Sequence, residues 1–180
     1  MRCWILDSES DKVYANLALS FPPEGFLVLD WSDIKCNLLQ GPPGVPAEVW
    51  DEQFIRMFCQ TCFVREGGSS MISVVLNACR KERKDKPVAL RHVYQKIIEL
   101  HYRLIRGGRE SSYYEVIKNR LERLLEISMF DCLVGYDWAR LASDNALLRM
   151  KGLGTDDFEL LVNYLLSRSE ERRVGKECRL

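Results

Sequence analysis

Two short, uninterrupted apolar runs mark the first 30 residues. Cys3-Trp4-Ile5-Leu6 ends at Asp7, and Phe26-Leu27-Val28-Leu29 ends at Asp30. Parallel strands buried on both faces carry this kind of continuous apolar sequence. Between the runs, Ser8 or Ser10 can cap a helix through Tyr14, Leu17 and Ala18, which Pro22-Pro23 and Gly25 then stop. Strand, helix and strand within about 30 residues read as a βαβ unit with a parallel pair.

The pattern then changes period. Gly41-Pro42-Pro43-Gly44-Val45-Pro46 is a rigid loop, and Pro46 suits the start of a helix. From there to Ser128 the apolar positions predict four amphipathic helices. Their stripes are Trp50, Phe54, Met57, Phe58, Thr61 and Cys62; Met71, Val74, Val75, Ala78 and Cys79; Val93, Ile97, Leu100, His101 and Leu104; and Tyr113, Ile117, Leu121, Leu124 and Ser128, the last widened by Val116 and Leu125. Gly67-Gly68, Lys86-Pro87 and Gly107-Gly108 separate them. No fixed period repeats, which excludes a solenoid. Ala146 to Met150 then reads as a strand, Gly152-Leu153-Gly154 as a turn, and Phe158, Leu161, Tyr164 and Leu165 as a helical stripe. Asp156 with Glu159 resembles a capping box.

The expected class is therefore α/β and helix-dominated, with about three strands. Residues 3–40 form a βαβ segment, 41–128 an α-helical insertion, and 129–167 a return to the α/β core, with a strand near 146–150 and a helix over 155–167. Residues 168–180 are expected to be a disordered tail. The stretch from Arg168 to Arg179 is neither periodic nor apolar, and it resembles the in-frame translation of a sequencing adapter.

Composition narrows the function classes. Hydrophobic residues make up 47% and charged residues 29%, which fits a chain that buries a core. Lys+Arg and Asp+Glu both number 26, so no basic field advertises nucleic-acid binding. Without residues 168–180 the count is 21 basic against 23 acidic, which removes any argument from a basic C-terminal tail. No apolar run approaches the roughly 20 residues of a membrane span. The start does not read as a signal peptide, and seven cysteines are then expected to be reduced thiols in a cytoplasm.

Candidate chemistry is sparse. A phosphate-binding loop needs Gly-x-x-x-x-Gly-Lys-Ser/Thr, so that backbone N–H groups can wrap the phosphates and a hydroxyl can hold Mg²⁺. No such string occurs; the Gly41 to Gly44 loop lacks the Lys, and Pro42, Pro43 and Pro46 remove donors from it. Cys59 and Cys62 have the spacing of half a zinc site or a redox pair, but they fall inside a helical apolar stripe, which reads as packing. His92 and His101 share one helix with no nucleophile in an elbow beside them, and read as structural. The run Arg80 to Lys86 mixes signs and reads as a solvated helix end, with phosphate-backbone contact as the sharper alternative. Asp7 and Asp30 follow apolar strands, and ligands collect beyond the carboxyl ends of parallel strands. Asp7, with Glu9 and Asp11 near it, is the best functional candidate, set against ordinary helix capping.

The order of these elements resembles a known family. Ile5-Leu6-Asp7-Ser8-Glu9 running on to Leu17 is similar to the segment that follows the phosphate loop in HerA/VirB4-like and conjugative-coupling P-loop ATPases. Phe26 to Asp30, then Asn37-Leu38-Leu39 and Pro42-Pro43-Gly44-Val45, resembles that family's N-P-L and P-P-G-V passage, with Leu38 where Pro is common. Asn145 to Asp157 resembles the strand, turn and helix preceding the acidic Walker B strand.

The resemblance covers residues 3–167 and implies a partial parallel P-loop NTPase sheet with an all-helical insertion. It also implies that the chain is a fragment lying between Walker A and Walker B. The intact parent would bind ATP and Mg²⁺ and form a homo-oligomeric ring, a hexamer. It would act on DNA as a translocase or helicase, or on secretion-channel proteins as a type IV secretion motor. It would be cytoplasmic, and membrane-peripheral if a secretion motor. No catalytic or metal-binding residue carries over to this chain, and only Asp7 has a local match, beside the nucleotide site. The alternative is a non-catalytic α-rich adaptor or protein-interaction domain.

Overall fold

β1 (Trp4–Asp7) and β2 (Phe26–Asp30) both pair in parallel with β3 (Asn145–Arg149), which lies between them. The sheet order is thus β1-β3-β2. The structure is a computed structural model that describes residues 4–7, 26–64, 66–84, 86–107, 112–136 and 145–177. The sequence led to β1 and β2 as one parallel pair. They are parallel, but the last strand in the chain separates them. The helix expected between them lies outside the described residues.

Burial explains the central place of β3. Ala146, Leu147 and Leu148 are fully buried, as a strand covered on both faces must be. β2 is an edge strand among the described residues: Leu27 and Leu29 pack on the core while Val28 is 38% exposed. Ala and Leu are weak strand formers, so it is packing that holds this segment extended.

Five α-helices account for most of the remaining described residues. α1 (Ala47–Thr61) starts after Pro46, whose carbonyl accepts the Trp50 N–H at 3.1 Å. α2 (Glu66–Arg83), α3 (Leu90–Arg106) and α4 (Ser112–Glu126) follow before β3, and α5 (Thr155–Glu177) follows after it. α1 packs on α2 and α5, α2 on α3 and α4, and α3 on α4. Trp50, Phe54 and Phe58 of α1 join Ile97 of α3, Leu121 of α4 and Tyr164 of α5 in one core.

Three expectations are corrected here. In α2 the buried face is Ile72, Val75, Leu76 and Cys79, while Val74 is 65% exposed. Both stripes have helical spacing and share Val75 and Cys79; they differ by one residue, roughly 100° around the helix. Contact with three neighbouring helices selects between them. In α4, Tyr113 and Val116 are exposed, as is Ser128 just past its end, and the buried set is Ile117, Leu121 and Leu124. Finally, α5 runs on to Glu177, where the sequence reading ended the helix at Ser167. Arg168, the first residue of the expected tail, donates hydrogen bonds to the Gln40 carbonyl and, at 2.9 Å, to the Tyr164 hydroxyl, and it lies over the Trp50 ring.

The segment joining β2 to α1 is a buried strap. Ile34, Cys36, Asn37, Leu38 and Leu39 are all buried although none lies in a helix or strand. Buried irregular backbone must find partners for its polar groups. Here side chains from across the fold provide them. Asn37 Nδ2 donates to the Val88 and Leu133 carbonyls at 2.9 and 2.8 Å, and its Oδ1 accepts the Leu39 N–H at 3.0 Å. Trp50 Nε1 donates to Leu38 O at 3.0 Å, and Arg80 Nη2 to Leu39 O at 3.0 Å. The Tyr164 hydroxyl reaches the Asn37 carbonyl at 3.3 Å. The segment after α4 closes the other side, with Cys36 N–H on Met129 O at 2.7 Å and Tyr136 N–H on Lys35 O at 2.6 Å. The strap therefore ties the carboxyl end of β2 to α1, α2 and α5.

Candidate functional site at the carboxyl edge of the sheet

Because all three strands are parallel, their carboxyl ends fall on one edge. The register sets Asp7 and Asp30 on either side of Arg149. This is the edge beyond which open parallel sheets collect ligands. Arg149 and Asp30 have exposed side chains, and Arg149 Nη1 lies 3.9 Å from Asp30 Oδ2. That is ion-pair distance and beyond hydrogen-bond reach. The guanidinium forms no hydrogen bond to a described residue.

The backbone around Arg149 is held firmly. Met150, next in the chain, is buried. Lys151 and Gly152 then turn the chain, with Gly152 at φ 89°, a left-handed conformation that costs glycine nothing. Leu153 N–H closes this turn on Met150 O at 3.0 Å. Trp31 Nε1, just past the end of β2, donates to Lys151 O at 2.9 Å. The two strand ends are thus tied together beyond the sheet. The edge presents the cations Arg149 and Lys151 beside the strand-end acid Asp30, with Asp7 at the same register level.

The remaining sequence candidates lie elsewhere. Glu9 and Asp11 fall outside the described residues. Cys59 and Cys62 sit at the end of α1 against the core. Burial raises both thiols, Cys62 to about 11 even with Arg120 pulling it the other way. Phe63, the next residue, is 81% exposed, at φ 52°.

The two histidines of α3 are built into its local structure. His92 Nδ1 accepts the Ala89 N–H at 3.0 Å at the start of the helix, and burial, with Arg83 and Arg91 nearby, lowers its pKa. His101 stacks at a tilt near Tyr114, with ring centroids 6.0 Å apart.

The charge run ending α2 is partly structural. Arg80 pairs with Asp51, Arg83 Nε donates to Pro87 O at 2.8 Å, and Lys96 of α3 pairs with Glu82. At the start of α5, Asp156 lies inside the first turn, not at the cap. Arg123 of α4 reaches both Asp156 and Asp157, at 3.8 and 3.2 Å.

Sequence reasoning missed Arg149, Lys151 and the anchors Asn37, Arg80 and Tyr164. Arg149 carried one usable signal, a charged residue closing an apolar strand in the same way as Asp7 and Asp30. The anchors carried none, because their partners are backbone carbonyls distant in sequence.

Comparison with known proteins was largely silent. No family model matches the chain, and no curated protein matches it. Among solved structures it is similar to VirB4 of Thermoanaerobacter pseudethanolicus, with a TM-score of 0.61 and 13% sequence identity. The superposition covers 94% of this chain and 68% of that one. Among the described residues, no helix is long and apolar enough to cross a membrane. At this level of identity the likeness is one of architecture: over nearly its whole length, the chain has a VirB4-like fold.

Proposed function

We propose that the chain is part of a VirB4-like motor ATPase, contributing sheet scaffold and helical layer to a nucleotide-binding domain. The observation that carries this reading is the likeness in fold to VirB4 over 94% of the chain, alongside a parallel sheet whose middle strand arrives after the helices. In this reading the sheet is part of a P-loop NTPase sheet and residues 41–128 are the helical insertion. The carboxyl edge with Asp7 faces the nucleotide. ATP and Mg²⁺ belong to the intact parent, because the sequence has no Gly-x-x-x-x-Gly-Lys-Ser/Thr loop to wrap phosphates. The parent works as a homo-oligomeric ring in the cytoplasm, at the membrane periphery if it drives a secretion channel, and otherwise on DNA.

Phosphoryl transfer is catalysed by positioning and electrostatics from the loop, the metal and a water-orienting group. Without that loop, the 180-residue protein should show no ATP turnover above a blank; turnover would contradict the assignment. The coding DNA upstream of Met1 is the sharper test. An in-frame Gly-rich Lys-Ser/Thr loop within roughly 30 residues supports the motor, on the scale of a βαβ unit. A complete upstream sequence without one ends it.

A second reading, a non-catalytic α-rich adaptor, is favoured by the exposed apolar residues Tyr102 and Ile105 of α3 and Tyr113 and Val116 of α4. A partner captured through this face and lost on Tyr102→Ser with Val116→Ser, with no upstream phosphate loop, would support it.

A further inference from the structure

The motor reading leaves one strong cation at the sheet edge without a role. Arg149 ends the central strand, between two strand ends that both close in aspartate. Its side chain is 44% exposed and lies 3.9 Å from the Asp30 carboxylate, with Asp7 at the same register level on the other strand. Arginine–carboxylate pairs are frequently bidentate, with two short hydrogen bonds. In this fold Arg80 holds Asp51 in this way; Arg149 does not hold Asp30 so. Its backbone is nonetheless immobilised, by β-pairing on both sides, by buried Met150 and by the Trp31 bond to Lys151 O. A guanidinium carried on a firmly held strand end, with a second cation, exposed Lys151, two residues on, is suited to a planar or tetrahedral oxyanion.

We propose that Arg149 is a phosphoryl-binding residue of the carboxyl edge, and that Asp30 is an internal competitor that holds its guanidinium until a phosphate arrives. This deepens the motor reading and rests on it only for the source of the phosphate, a nucleotide. The binding chemistry itself needs only the Arg149, Lys151 and Asp30 arrangement.

The sign of the Asp30 effect separates this role from a purely structural one. If Arg149 serves only to pin the sheet edge, removing Asp30 gains nothing for an anion. If Asp30 competes with phosphate, removing its charge tightens binding. The experiment is titration of inorganic pyrophosphate, and in parallel of ATP with Mg²⁺, into the full 180-residue protein and its Arg149→Gln and Asp30→Asn variants. Each variant is first checked for an unchanged far-UV spectrum.

Pyrophosphate should bind the parent chain, and Arg149→Gln should weaken it by about tenfold, the effect of losing one charge-assisted contact. Asp30→Asn should strengthen it on the order of threefold, as expected for an exposed ion pair. Both effects should shrink as salt rises. No pyrophosphate binding, or Asp30→Asn leaving it unchanged or weaker, overturns the proposal even if Arg149→Gln fails to fold. ATP binding that ignores Arg149→Gln also overturns it, while leaving the motor reading intact. Pyrophosphate binding that follows both variants, with ATP bound no better than pyrophosphate, supports the phosphoryl site; the motor reading, which assigns ATP to the intact parent, is then decided by the upstream coding sequence.

Discussion

Arg80 grips Asp51 with two hydrogen bonds, Nε to Oδ2 at 3.0 Å and Nη2 to Oδ1 at 2.6 Å, and the same Nη2 also donates to Leu39 O at 3.0 Å. One guanidinium thus joins α2, α1 and the buried strap. The geometry is bidentate, and Asp51 is nearly buried. Arg80→Met should destabilise the protein by about 2–3 kcal/mol, the lower side of a broken buried pair because Arg80 keeps partial contact with water. Asp51→Leu in the same background should recover part of that loss. Urea unfolding of the two single variants and the double variant measures the coupling. Additive single effects would mean the pair does not act as a unit.

Asn37 satisfies three backbone groups from one amide, two of the bonds buried and the third, to Leu133 O, part-buried. Asn37→Leu should therefore cost about 3 kcal/mol, since each orphaned group costs about 1–3 kcal/mol and partial relaxation is expected. Gly135 reports on the same junction from the other side. A Cβ built there would come within 2.8 Å of the Asn37 backbone nitrogen, a contact that cannot relieve itself by a rotamer change. Gly135→Ala should cost about 1–3 kcal/mol by overpacking. Thermal melts that leave both variants as stable as the parent would remove the strap from its organising role.

His92 accepts a backbone N–H through Nδ1, which only the unprotonated nitrogen can do. Burial, with Arg83 and Arg91 nearby, lowers its pKa from the ordinary 6.5. In that window the unfolded chain binds the proton more readily than the native chain, so stability falls as pH falls below about 6.5. Native protonation at still lower pH ends the decline. His92→Gln, which keeps an acceptor but does not titrate, should flatten this part of the stability profile. Chemical unfolding at about pH 7.5 and pH 5.5, above the range where carboxylates dominate, gives the comparison.

Cys62 and Cys79 are both buried, with pKa values pushed up to about 11, chiefly by burial. At neutral pH both are thiols, whereas thiolates are the nucleophiles and metal ligands. Iodoacetamide should label them only as fast as the protein opens, and mild urea should accelerate that labelling. Rapid native-state labelling of Cys62 at neutral pH, together with stoichiometric zinc in purified protein, would revive the thiol or metal alternative.

Continuous apolar runs marked Trp4–Asp7 and Phe26–Asp30 as strands in the sequence alone, although Phe26–Asp30 is an edge strand among the described residues, with Leu27 and Leu29 on the core and Val28 exposed. Helical spacing marked α1 to α5 because a packed helix must show one apolar side. The candidate site was half legible: the strand-end acids Asp7 and Asp30 could be read off, while Arg149 could not be set between them. That required knowing that the last strand enters the middle of the sheet, a choice made by long-range burial of Ala146, Leu147 and Leu148 and not by any local preference. The same holds for the rotation of α2 toward Ile72 and Leu76, and for Asn37, Arg80 and Tyr164 on the strap. Local pattern determines which residues are helix or strand; which side of each faces in, and which charges meet, follows only from what packs against them.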